Sequence, residues 1–182
     1  MSFHKNLITL SEYNLWMNGT IYESAEKLSD EIRKKDMGAF FGSIHGTLNH
    51  ILWADKNWLG RFVDSGYGSA ILDRNIAFEE HSQSSNHRHE IHSDFSKLKS
   101  ERKSLDEKLI RWVKEGLSEE IIRQNLGYKS LKGDSFSTPI SEVLIHLFNH
   151  QTHHRGQVTT LLFQNGIDPG ITDFIYFTRI KS

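Results

Sequence analysis

The chain has 182 residues, with Lys+Arg 22 against Asp+Glu 23 and a net charge of −1. A balance so close to neutral argues against direct binding of nucleic acid, because a phosphate backbone needs clustered positive charge. The absence of cysteine excludes disulfides, thiolate metal sites and a cysteine nucleophile.

Hydrophobic residues make up 37% of the chain and charged residues 25%. That composition predicts one globular domain over residues 1–182, long enough to bury a core. The opening residues hold no apolar run of signal-peptide type. No stretch approaches the roughly 18 apolar residues of a membrane span. A cytoplasmic protein with no membrane association is the expectation.

Four helical segments are predicted in chain order. The first covers residues 5–28, where Leu7, Leu10, Leu15, Ile21, Ala25 and Leu28 recur mostly at helical spacing. The charged stretch 29–38 is predicted as a loop. The second helix covers 39–63, with a wide stripe of Phe41, Ile44, Leu48, Ile51, Leu52, Leu59 and Phe62, and Gly66 and Gly68 end it. Residues 65–86 are polar and irregular and are predicted as a long connection.

The third helix covers 91–115, facing inward with Phe95, Leu98, Leu105, Leu109 and Trp112, and Gly116 stops it. Two short polar and aromatic runs between 127 and 138 flank Gly133-Asp134 and predict a small β-hairpin. The fourth helix covers 139–164, with Pro139 at its start, Thr138 as N-cap and Asn165-Gly166 closing it. A C-terminal tail follows. The expectation is an all-α fold built as a four-helix bundle, with the hairpin before the last helix. The long connection between the second and third helices leaves the order of the helices open.

Histidine, with 11 copies, is the unusual residue. His81, His87, His89 and His92 lie among polar residues and are predicted to sit in a solvated loop, with no scaffold to fix ligand geometry. His150 and His154 are four apart and share a helix face, a spacing that lets two imidazoles reach one ion. They fall on a stripe with Val143, Leu147, Gln157 and Leu161, so the reading places them on the core-facing seam. A buried imidazole left unsatisfied costs about 1–3 kcal/mol, which ligation would offset.

His146 and His153 project from neighbouring faces. On the second helix, His50 has Gly46, Thr47 and Ala54 beside it, small residues that leave room for a pocket. Three histidines with an open coordination position form the pattern of a catalytic metal site. Asp55 stands near as a supporting partner or competing ligand. Asp55 and Gln157 each also suit ordinary ion pairing or hydrogen bonding, and Trp16, Trp53, Trp58 and Trp112 suit core or pocket wall. Gln151 follows His150, so no His-Glu-x-x-His protease motif is present.

These residues resemble a family. Gly42-Ser-Ile-His-Gly-Thr-Leu-Asn-His50-Ile-Leu-Trp-Ala-Asp55, followed by Trp58 and Arg61, resembles the second-helix motif of the DinB (damage-inducible) family. His146-Leu-Phe-Asn-His150-Gln-Thr-His-His154-Arg-Gly-Gln157 is similar to its fourth-helix signature. Tyr13-Asn-Leu-Trp16 and Gly166-Ile-Asp-Pro-Gly170 with Asp173 fit as well.

The resemblance implies a four-helix bundle in up-down-down-up order and a homodimer. It also implies one divalent metal ion, nickel, zinc or similar, on His50, His150 and His154. Related thiol-dependent enzymes, such as the mycothiol-dependent maleylpyruvate isomerase, carry glutamate at the first position of the helix-four pair, where this chain has His150. The expected function is a metal-dependent thiol transferase or hydrolase acting on a small molecule, with a low-molecular-weight thiol as a candidate partner. The alternative is a non-enzymatic, metal-dependent stress-response or binding module. His153, Tyr13 and Arg155 are candidates to line the site without assigned roles.

Overall fold

A computed structural model describes residues 2–68, 70–72, 88–130 and 132–181. The predicted loop positions His81 and His87, and most of the connection at 65–86, lie outside the described residues. Within them the chain is mostly helical, with one two-stranded antiparallel sheet. No described helix is long and apolar enough to cross a membrane.

Helix α1 (Phe3–Glu26) starts at Ser2, whose hydroxyl accepts from Lys5 N. A short helix, α2 (Asp30–Lys34), occupies the stretch predicted as loop. Ser29 caps it, Asp30 and Glu31 fill its first turn and Arg33 and Lys34 its last, which suits the helix dipole. Helix α3 (Ile44–Asp64) begins later than the predicted residue 39. Residues 37–42 instead form a tight turn, closed by Met37 N donating to Gly42 O at 2.7 Å with Gly42 at φ 76°. Ser43 then caps α3 through Gly46 N.

Helix α4 (Phe95–Arg111) also starts later than predicted, where Asp94 caps Lys97 N. Its end widens into a π-turn over Trp112–Gly116, with Leu117 N reaching Trp112 O at 3.1 Å. Helix α5 (Glu119–Ile122) leads into strands β1 (Asn125–Lys129) and β2 (Ser135–Pro139). They pair antiparallel, with Tyr128 opposite Phe136, and Gly133 at φ 91° makes the turn. Helix α6 (Ile140–Gln164) starts directly from the strand, with Pro139 rather than Thr138 at the N-cap and no side-chain cap bond. The predicted tail contains a further helix, α7 (Phe174–Lys181), whose Phe174 and Phe177 pack on Tyr13.

The four long helices α1, α3, α4 and α6 share one core. Glu26 meets Lys99 and His4 meets Val113, so α1 and α4 run in opposite directions. Phe62 meets Trp112 while Asp55 meets Arg102, so α3 and α4 run the same way. The core is apolar at Ile21, Leu52, Phe62, Leu98, Leu109, Trp112 and Leu162.

A polar layer crosses that core. Arg102 Nη1 donates to Asp55 Oδ2 at 2.5 Å and Nη2 to Asp106 Oδ1 at 2.7 Å. Asn14 and Asn18 of α1 donate to Asp106. Gln151 Nε2 donates to Asp55 Oδ2 at 2.6 Å, while Asn18 and Arg155 donate to Gln151 Oε1. Arg102 faces both carboxylates and Arg155 joins the layer through Asn14, Asn18 and Gln151, so two guanidinium groups balance two carboxylates, the condition under which buried charge is tolerable. Burial opposes the charge on Arg102, but Asp106 and Asp55 outweigh it and raise its pKa.

Candidate metal centre

The structure brings His50 of α3 together with His150 and His154 of α6. One nitrogen from each lies within 4.8 Å of the others. His150 Nε2 sits 3.2 Å from His50 Nε2 and 3.1 Å from His154 Nε2. Three nitrogens each about 2.0–2.1 Å from one tetrahedral ion would stand roughly 3.3 Å apart. The spacing is therefore that of a ligand set as well as of a hydrogen-bonded one.

Hydrogen bonding separates the two. His154 Nδ1 donates to Gln157 Oε1 at 2.9 Å, and Gln157 Nε2 donates to His153 Nε2 at 3.3 Å. This leaves the His154 Nε2 lone pair aimed at His150. With His154 in that tautomer, a proton on His150 Nε2 can point along only one of its two contacts. The donor set fits a cation, which accepts all three lone pairs.

The imidazoles of His150 and His154 are also held neutral, as ligands must be. Burial, and then the neighbouring histidines His154 and His50, push His150 down to about 3. Burial lowers His154 too, against its bond to Gln157.

An aromatic roof closes one side. The Phe41 ring stacks on His50 with centroids 3.8 Å apart at 17°, and meets His154 edge-on at 5.3 Å. Gly46 makes this placement feasible, because a Cβ there would stand 2.3 Å from Phe41 O. On the other side His146 lies 5.7 Å from His150 and 5.2 Å from Trp58.

The DinB family model matches residues 1–181 of this sequence. The chain belongs to the DinB family. It is 28% identical over 174 residues to Protein DinB of Bacillus subtilis (strain 168), across 95% of this chain and 94% of that one.

Several residues of this DinB-family chain stand elsewhere than the sequence reading put them. The deepest polar positions on α6 are Gln151 and Arg155, at 0% and 4% exposure, one residue beyond each histidine. Val143, Leu147, His154 and Leu161 of the predicted stripe are buried, and the buried face extends past it to Leu144, Phe148, Gln151, Arg155, Val158 and Leu162, so the half-buried His150 and Gln157 lie at its margin. Asp55 faces Arg102 and Gln151 rather than the cluster. Arg155 is buried in the polar layer, where burial lowers it to about 10. Tyr13 donates to Thr172 O at 2.6 Å and packs on α7.

His92 is not a freely solvated loop residue. Its ring pairs with Glu101, and its backbone N–H donates to Asn49 Oδ1 at 3.0 Å. The sequence reading also missed the Phe41 roof. The Gly42 to Gly46 spacing before His50 was its one available signal.

Proposed function

We propose that this chain is a single-domain protein that binds one divalent metal ion, nickel, zinc or similar, through His50, His150 and His154. We further infer that it acts as an enzyme, a thiol transferase or hydrolase, on a small-molecule substrate rather than nucleic acid. The observation that carries the reading is the convergence of three imidazole nitrogens from two helices, with His150 Nε2 3.1 Å from His154 Nε2 and 3.2 Å from His50 Nε2.

An ion held there supplies Lewis acidity, lowering the pKa of a thiol or water brought to it. The chain's own residues do the rest. Gln157 fixes the tautomer of His154, and such outer bonds commonly govern ligand orientation. Phe41 shields the His50 face from water. Three protein ligands, rather than four, suit a centre that keeps a position for substrate.

The same reading takes the four long helices as the family's bundle in up-down-down-up order, which the opposed α1 and α4 and the parallel α3 and α4 support. Homodimer formation rests on the family resemblance. Sedimentation of a species near 21.1 kDa at micromolar concentration counts against it.

The test of activity is turnover by metal-loaded protein given a low-molecular-weight thiol with an electrophile, or ester and amide substrates. Turnover lost in His150→Ala supports the enzyme. Full metal loading with no turnover in any class makes the chain a metal-dependent binding module.

A further inference from the structure

Two rows of side chains face each other between α3 and α6. His50, Ala54, Trp58 and Arg61 follow one another on α3 at steps of four, four and three, and so share a face. His154, His150 and His146 do the same on α6. His50 opposes the α6 pair, and Trp58, two turns on, opposes His146. The row that starts at the metal centre therefore continues through His146 and Trp58 to Arg61.

Arg61 is an unusual cation. Its Cζ lies 4.2 Å from the centroid of Trp58 and 4.8 Å from that of Tyr128 on β1, so two aromatic rings hold it. The one side-chain hydrogen bond it makes among the described residues is a long one, Nη2 to Lys129 O at 3.4 Å. Among those residues no carboxylate pairs with it. Arg33 and Arg111 each have one, and Arg102 has two. Tying the hairpin to α3 would need the flat face of the side chain but not its charge. A half-buried guanidinium held by rings keeps its fork of donors for a planar oxyanion, which it binds in bidentate fashion.

The geometry points to an anion subsite at Arg61, which takes the oxyanion end, carboxylate or phosphate, of a ligand whose other end lies at the metal centre. It rests on the metal reading for what that other end does. Arg61 is eleven residues beyond His50, roughly 16 Å along the helix, and leans back by about a turn onto Trp58. The two ends of the ligand are therefore on the order of 10 Å apart. Arg61 selects the substrate and takes no part in bond making.

The test uses probes of that length on the full chain. Suberate carries a carboxylate at each end, octanoate at one end only, and 7-phosphonoheptanoate replaces one carboxylate of suberate by a phosphonate. Binding is measured by calorimetry with Co2+-loaded and metal-free protein, and Co2+ uptake is measured separately.

The expected result is suberate binding to loaded protein about tenfold more tightly than octanoate, the scale of one charge-assisted pair. In Arg61→Met the two bind alike. Arg61→Lys, which keeps the charge without the fork, retains a preference of about threefold. A phosphonate preferred over suberate assigns the subsite to phosphate, and the reverse assigns it to carboxylate.

Equal affinity of suberate and octanoate in the parent protein overturns the proposal, as does a preference that survives in Arg61→Met. Co2+ uptake without the preference removes the subsite and leaves the metal reading standing. An Arg61-dependent preference without Co2+ uptake does the opposite. Unfolding curves of both variants show whether the hairpin has come away. If Arg61→Met is unfolded, the Arg61→Lys result decides.

Discussion

Gln151 of α6 donates to Asp55 of α3 at 2.6 Å, one residue beyond His150 and five beyond His50. This bond, with the Arg102 ion pair on the same oxygen, fixes the two helices that carry the three histidines. Asp55→Ala leaves Arg102 buried with one carboxylate instead of two. The expected cost is about 3–5 kcal/mol in urea unfolding. Gln151→Ala removes only a neutral partner and should cost about 1–3 kcal/mol. Equal, negligible effects from both would show that the polar layer does not hold the helices.

Gln157 acts on the centre through His154 alone. Gln157→Leu frees His154 to rotate and to change tautomer. Metal affinity should fall by about 10–100-fold with little change in the stability of metal-free protein. Competition with a chromophoric chelator measures the first, and thermal melting of chelator-treated protein the second.

The Phe41 roof depends on the closeness of two backbones. Gly46→Ala places a methyl 2.3 Å from Phe41 O, so the 37–42 turn must move. Melting temperature should drop, with a destabilisation of about 1–3 kcal/mol. Metal affinity should fall with it, as Phe41 leaves His50. Gly19→Ala, whose added Cβ meets nothing within 4 Å, serves as the control.

Acid should destabilise the metal-free protein through His150. In the unfolded chain this imidazole takes a proton near its ordinary 6.5, whereas in the folded chain burial keeps it neutral down to about 3. The unfolded state thus binds more protons between those values, and stability falls as pH drops through that window. Melting of chelator-treated protein from pH 7 to 4 should show this decline, and His150→Ala should make it shallower. A slope unchanged by the substitution contradicts the assignment.

Much of this could be read from residue order, for physical reasons that differ between elements. The turn at Gly133-Asp134 and the helix ends at Gly66 and Asn165-Gly166 are local chemistry, visible in a few consecutive residues. The meeting of the two α6 histidines follows from a spacing of four on a helix.

The extension of the core seam to Gln151 and Arg155 was hidden, because a polar residue in sequence looks like surface until its partners are known. Arg102 and Asp106 carry no mark in the sequence beyond a spacing of four, yet both are 1% exposed. Their burial is set by Asn14, Asn18 and Asp55 on two other helices. The π-turn at Trp112 and the docking of α7 on Tyr13 likewise depend on contacts distant in the chain.

The central claim is that three imidazoles hold one ion. Its most direct test is the metal content, by mass spectrometry of the elements, of purified full-length protein and of His50→Ala, His150→Ala and His154→Ala. The account predicts one divalent ion per chain in the parent protein and loss of stoichiometric metal in each variant, with helical circular dichroism retained. A parent protein that stays metal-free after incubation with nickel and zinc contradicts it. So does a bound ion that none of the three substitutions removes.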